Sequence, residues 1–196
     1  MANITFNPQL TTAPASSFLS NTQGYIQGSV LDDPTSRMYL NAGIIASTVT
    51  GAVWGGMGIT ESVPAPGSET TGGVLTIATA YTDLTGFTVF NQASNMIITP
   101  GNSVQQADAG MSISYFRFGS NARIAVQCDA TLAAALDAGT IIQQVAWDFT
   151  NQKLIAYTSG TALNAKVLSV NTNSQIVVDT SGVLTWGSGA VAIIQI

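Results

Sequence analysis

Apolar and polar residues alternate with a period of two along most of this chain, and helical spacing is rare. The clearest alternation is at 141–157. Val145, Trp147 and Phe149 interleave with Ala146, Asp148 and Thr150, the period of a half-buried strand. Asn151-Gln152 reads as a two-residue turn, with Asn at the position that tolerates positive φ. That register sets Phe149 opposite Leu154 and Trp147 opposite Ala156, so the apolar residues of both arms share one face. Asp148 and Lys153 then fall on the other face as diagonal neighbours. A hairpin with a core face and a wet face accounts for the stretch, and its tip is expected at the surface. The rival reading is a catalytic Asp–Lys–Gln cluster beside a tryptophan.

Further strands are predicted at 44–49, 54–59, 73–81, 85–91, 95–98, 112–118, 123–128, 166–170, 175–179, 183–186 and 190–196. Turn material separates them: Thr-Pro-Gly-Asn at 99–102, Gly119-Ser120-Asn121, Asn171-Thr172-Asn173 and Ser181-Gly182. The glycines around Met57 suggest a bulge or sharp bend, and 64–73 is a Pro/Gly/Ser/Thr loop. Many short strands with turn signals between them indicate an all-β antiparallel sandwich or barrel. One helix interrupts at 130–138, with Asp129 as N-cap and Gly139 as its stop. A second short helix is expected from Asp33, as N-cap, and Pro34 to Gly43, with Arg37 paired to Asp33. A metal on Asp32 and Asp33 is the weaker alternative, because no ligand cluster surrounds them.

Residues 1–28 carry no charge and no helical period, yet hold large apolar side chains at Ile4, Phe6, Leu10, Phe18, Tyr25 and Ile26. A disordered tail is usually richer in charge and poorer in such residues. The segment is read as an extended N-terminal arm that becomes ordered on assembly, ahead of a single domain over 29–196. A tail packed on its own domain is the alternative.

Composition narrows the function. Charged residues are 8% of the chain against a typical ~25%. The basic residues are Arg37, Arg117, Arg123, Lys153 and Lys166, and the net charge is −5, so phosphate-backbone binding to nucleic acid is not expected. A neutral Thr/Asn/Gln-rich surface gives a β protein little protection against edge-to-edge association, which favours a component of a larger assembly. Cys128 alternates with Ile124 and Val126 and reads as a buried strand residue rather than a nucleophile. No apolar run reaches membrane-spanning length, and 1–8 lacks the marks of a signal peptide. The expectation is a protein made and used in a cytoplasm, or in something assembled there.

Histidine is absent, which removes Ser-His-Asp and Cys-His catalysis and the HExxH zinc site. Neither lysine follows a glycine, so no phosphate-cradling loop of the G-x-x-x-x-G-K type exists. No enzyme, cofactor or metal is expected. A carboxylate pair hydrolysing glycosides, on Asp32 or Asp148, is the residual enzymatic option.

Several stretches, taken in order, resemble the structural cement or decoration proteins of tailed-bacteriophage capsids. They are Gln27-Gly28-Ser29-Val30-Leu31-Asp32-Asp33-Pro34, Val53-Trp54-Gly55-Gly56-Met57-Gly58-Ile59 and Leu84-Thr85-Gly86-Phe87-Thr88-Val89-Phe90-Asn91-Gln92. Phe116-Arg117-Phe118-Gly119-Ser120-Asn121-Ala122-Arg123 and Gln143-Gln144-Val145-Ala146-Trp147-Asp148-Phe149 follow downstream. The resemblance implies a jelly-roll-like sandwich on the outer surface of the virion's capsid. There it would bridge neighbouring capsomers through contact with the major capsid protein and with itself, as a dimer or cluster. The family has no catalytic residues to carry over. Its longer insertion after the Trp-Asp-Phe hairpin is short here, at 158–165, which leaves any host-surface role of that insertion without a counterpart. Candidate interface residues are Ile4, Phe6, Leu10 and Phe18 of the arm, with Arg117 and Arg123, although pairing of the arginines with nearby acids is the expected alternative. A carbohydrate- or receptor-binding module on a virion surface, stacking sugars on Trp54 or Tyr157, is the second functional reading.

Overall fold

The computed structural model describes residues 24–31, 36–65, 72–90, 104–140, 142 and 144–196. The expectations at Ile4, Phe6, Leu10, Phe18, Asp32, Asp33, Pro34 and the 95–98 strand lie outside them.

Ten strands and one α-helix make up the described chain. A 3-10 turn, Ser36–Tyr39, leads into β1 (Asn41–Ile45), β2 (Gly58–Ser62), β3 (Gly73–Ile77), β4 (Gly86–Val89) and β5 (Ser112–Arg117). Then come β6 (Arg123–Gln127), α1 (Ala130–Asp137), β7 (Val145–Asp148), β8 (Lys153–Ala156), β9 (Lys166–Thr180) and β10 (Val183–Gln195). The first five close into a barrel in the order β1-β3-β2-β4-β5, sealed by the antiparallel β1–β5 pair. β6, β10 and β9 form a second sheet, and β7–β8 a separate hairpin.

The all-β class holds. The expected antiparallel, jelly-roll-like sandwich does not describe this arrangement: the first sheet closes on itself, and β1 pairs with β3 in parallel. Closure is physically cheap because glycines sit where strands crowd. A Cβ on Gly43 would lie 2.7 Å from Leu75 Cγ, and one on Gly73 would lie 2.5 Å from the Glu61 carboxylate. Gly43 is therefore a mid-strand residue of β1, and the helix predicted to run from Asp33 to Gly43 is replaced from Ser36 by the 3-10 turn and this strand.

Period-two alternation divides the strands between two interiors. On β5, Ile113 and Tyr115 fill the barrel with Ile45, Met57, Ile59 and Leu75. Phe116 faces outward into a larger core, with Phe87, Val89, Trp147, Leu154, Ile124 and Ile194. Both faces of β4 are buried, and Thr88 is accommodated because its hydroxyl donates to Trp54 O at 2.6 Å and accepts from Met57 N–H at 2.9 Å. α1 starts and stops where expected: Asp129 accepts from Thr131 N–H at 3.0 Å, and Gly139 takes φ +83°.

The strands expected at 166–170 and 175–179 are one strand, as are those at 183–186 and 190–196. Asn171-Thr172-Asn173 is not a turn. It lies opposite a register shift between Gly189 and Val191, where the Asn171 carboxamide accepts from Asn173 N–H at 2.8 Å. Ser181-Gly182 is the tight turn predicted, both residues having positive φ.

Residues 24–28, assigned by sequence to the arm, are bonded to the chain's own sheet. Gln27 N–H donates to Gln175 O at 2.9 Å and Gln175 N–H to Tyr25 O at 2.8 Å. Beyond them Leu31 N–H reaches Arg123 O at 2.9 Å, while Tyr25 and Leu31 cover the outer face at Ala125, Val191 and Ile193.

Candidate functional site

The hairpin forms as predicted in kind, with a different register and loop. Trp147 pairs with Leu154 rather than Ala156, and Asp148 lies directly opposite Lys153. Phe149, Thr150, Asn151 and Gln152 make a four-residue connection. Asp148 builds this loop, accepting from Thr150 N–H at 2.9 Å, Asn151 N–H at 3.0 Å and Asn151 Nδ2 at 2.7 Å. Burial pushes its pKa up, but these donors and Lys153 outweigh that and hold it below the ordinary carboxylate value. Lys153 turns away to Asp129, 3.0 Å distant, and that bond holds Asp129 low as well. Asp148 and Lys153 are thus occupied separately in holding the chain.

Gln152 is where the expectation of a surface tip fails. It is only 6% exposed, at φ +50°, and its carboxamide joins the hairpin to the barrel. Oε1 accepts from Gly58 N–H at 2.8 Å and from Trp147 Nε1–H at 3.4 Å. Nε2 donates to Phe149 O at 2.8 Å and Ala78 O at 3.4 Å. Trp147 is a core residue as expected, while Phe149 is only half-buried, packed against the edge of that core. Trp147 packs edge-on to Phe87 at 4.8 Å between ring centroids, and Phe149 edge-on to Tyr81 at 4.9 Å.

This junction forms one wall of a cleft of about 540 Å³, closed by Trp54 and Met57 of the barrel mouth and by 176–179 of β9. Trp54 is half-buried rather than an open platform, and its indole N–H is buried without an acceptor among the described residues, a cost of about 1–3 kcal/mol. Tyr157 is also half-buried, its hydroxyl donating to Gly160 O at 3.0 Å. Nothing local in sequence announced the cleft, since its walls come from three separate regions.

The two candidate arginines differ. Arg117 makes a bidentate pair with Glu61, both contacts 2.6 Å, and lies 5.7 Å from the Tyr115 ring centroid. The pair holds the Glu61 carboxyl below its ordinary value of 4.5, while burial, and then Glu61, push the Tyr115 phenol up to about 12. Glu61 with a depressed folded pKa contributes stability at pH values above 4.5 and loses it as pH falls through the folded value. The Arg117 side chain is 52% exposed, so the pair is screened and worth about 0.5–1 kcal/mol. Arg117→Gln should therefore lower stability by that amount at pH 7 and by progressively less as pH falls below 4.5, read from denaturant midpoints across the acid range. Arg123 is exposed at the start of β6, beside Gln195 of β10.

Cys128 is buried as expected, and burial first, then Asp129, push its thiol up to about 12, so no thiolate is available at neutral pH. Among the described residues, no cluster of three metal-binding side chains occurs, and no helix is long and apolar enough to cross a membrane. No protein-family model, curated protein or solved structure matches the chain.

Proposed function

We propose that this chain is a capsid cement protein, binding the outer surface of a major capsid protein shell of a tailed bacteriophage and bridging neighbouring capsomers. The observation that carries the reading is the way the sheet receives residues 24–31. Tyr25 and Gln27 join β9 by backbone bonds, and Gln27 Oε1 extends the pairing by accepting from Val177 N–H at 2.9 Å. Every bond in that junction is neutral. A protein with so few charges can hold a partner by the same strand addition, which satisfies backbone groups without charge complementarity. The ordered resemblance and the sparse charge support the same conclusion. The finer jelly-roll-like architecture implied by the resemblance gains no support from the barrel.

Binding across a joint adds free energy to the assembled state alone, so the shell is stabilised by mass action. Self-association on the shell, a location on the capsid's outer surface and a non-catalytic role belong to the same proposal. Arg117 and Arg123 are exposed and open to the shell, with Arg117 held in position by Glu61. Removal of residues 1–20 should leave a folded protein that binds shells poorly. Occupancy on purified capsids measures this, and unchanged occupancy would sink the proposal that the arm binds.

A further inference from the structure

We propose that the cleft between the 149–153 turn, the barrel mouth and β9 binds a neutral saccharide. Its volume of about 540 Å³ lies within the roughly 300–1,000 Å³ of small-molecule sites. Its lining includes the half-buried rings of Trp54 and Phe149 and, on β9, Val178, a large apolar side chain left 36% exposed. Its polar lining residues are uncharged apart from Lys153 and Asp179. Lys153 is moreover committed to Asp129 at 3.0 Å, so the cleft offers no cation for a phosphate or carboxylate. A purely lipophilic ligand would desolvate Gln127 and the second polar atoms of Asn151 and Asp179 with nothing in exchange.

The chemistry that fits so mixed a lining is a molecule with one apolar face and an edge of hydroxyls. Acceptors stand ready for such an edge. Asn151 uses Nδ2 on Asp148 and Asp179 uses Oδ1 on Gly182 N–H, which among the described residues leaves Asn151 Oδ1 and Asp179 Oδ2 for hydroxyl donors. The wall is rigid, because Gln152 ties the turn to Gly58 and Ala78. A larger groove of about 690 Å³ at Asn121, Lys166 and Gln195 has no aromatic side chain and offers nothing to the apolar face of a sugar. The proposal is independent of the cement reading, since a chain that never met a shell would still bind.

The test titrates the full-length protein with cellobiose, chitobiose, lactose and mannobiose to ~20 mM, enough to saturate a site with a Kd of about 1 mM. Tryptophan fluorescence and backbone amide shifts are the readouts. At least one sugar should give a saturable change centred on Trp54 and 149–153. Thr150→Arg, which fills the mouth from an exposed turn position, should weaken binding at least tenfold, and Gln127→Ala severalfold, with both variants retaining the wild-type circular dichroism. The proposal is overturned if no sugar gives a saturable change, if Thr150→Arg leaves binding intact, or if inorganic phosphate competes as well as the sugars. Protection of Trp54 by added shells, with no response to any sugar, would overturn it in favour of a protein contact.

Discussion

Gln152→Leu should destabilise the fold by about 3–5 kcal/mol, a large fraction of a typical domain's margin of about 5–15 kcal/mol. Leucine matches the volume but supplies none of the polar atoms. Gly58 N–H would lose its acceptor in a buried place, Trp147 Nε1–H would lose its own, and the Phe149 and Ala78 carbonyls would lose a donor. Each unsatisfied buried group costs about 1–3 kcal/mol, and partial relaxation keeps the total below the sum. For a chain of this size the loss corresponds to a melting temperature lower by roughly 10 °C. Asn151→Ala, one residue away and exposed, should change stability by no more than about 0.5 kcal/mol. A Gln152→Leu protein within 1 kcal/mol of wild type in denaturant titration would mean that the carboxamide does not hold hairpin to barrel.

Gln152 also shows why part of this fold was legible and part was not. Alternation in Val145, Trp147 and Phe149 placed a hairpin correctly and put the Trp147 ring in the core, with Phe149 half-buried against it. Register depends on turn chemistry, and here the turn is decided by Asp148 gathering three donors and by Gln152 entering the left-handed region. Gln152 does so because its side chain has partners far away in sequence, at Gly58 and Ala78. Local pattern carries no trace of such a partner. The same limit explains Gly43, which reads as a helix stop but serves close packing against Leu75. It explains Asn171-Thr172-Asn173 too, where turn-forming residues are absorbed into a long strand by a register shift that β10 accommodates. Asp129, Gly139 and Ser181-Gly182 were readable because caps and tight turns are settled within a few residues. The cleft was not, because Trp54, Gln127 and Asp179 meet only after the barrel has closed and β9 has packed beside it.

Barrel closure leads to the second large effect, at a position where alanine would ordinarily be harmless. Gly86 sits in β4 between Ile59 of β2 and Arg117 of β5, in a backbone conformation open to any residue. Where the fold permits the side chain, Gly→Ala stabilises by about 0.4–1 kcal/mol through the unfolded state. At Gly86 the added Cβ would land on the Phe116 carbonyl oxygen, with Phe116 C at 2.9 Å and Arg117 Cα at 3.0 Å. All three are backbone atoms, so no side chain can swing aside and the β4–β5 pair must separate. Neighbouring Phe87 and Phe116 are fully buried on the outer face of the same pair, so the shift carries into the core around Trp147. Gly86→Ala should cost about 3 kcal/mol or more, beyond the usual range of a one-methyl overpacking. Gly110→Ala separates contact from conformation: its Cβ would meet open space, and its φ of +84° should cost only about 1 kcal/mol. Equal losses at the two positions would place the effect of Gly86 in its backbone freedom. A loss at Gly86 several times larger would place it in the close approach of β4 and β5, the contact on which the closed barrel and the Trp54 wall of the cleft both depend.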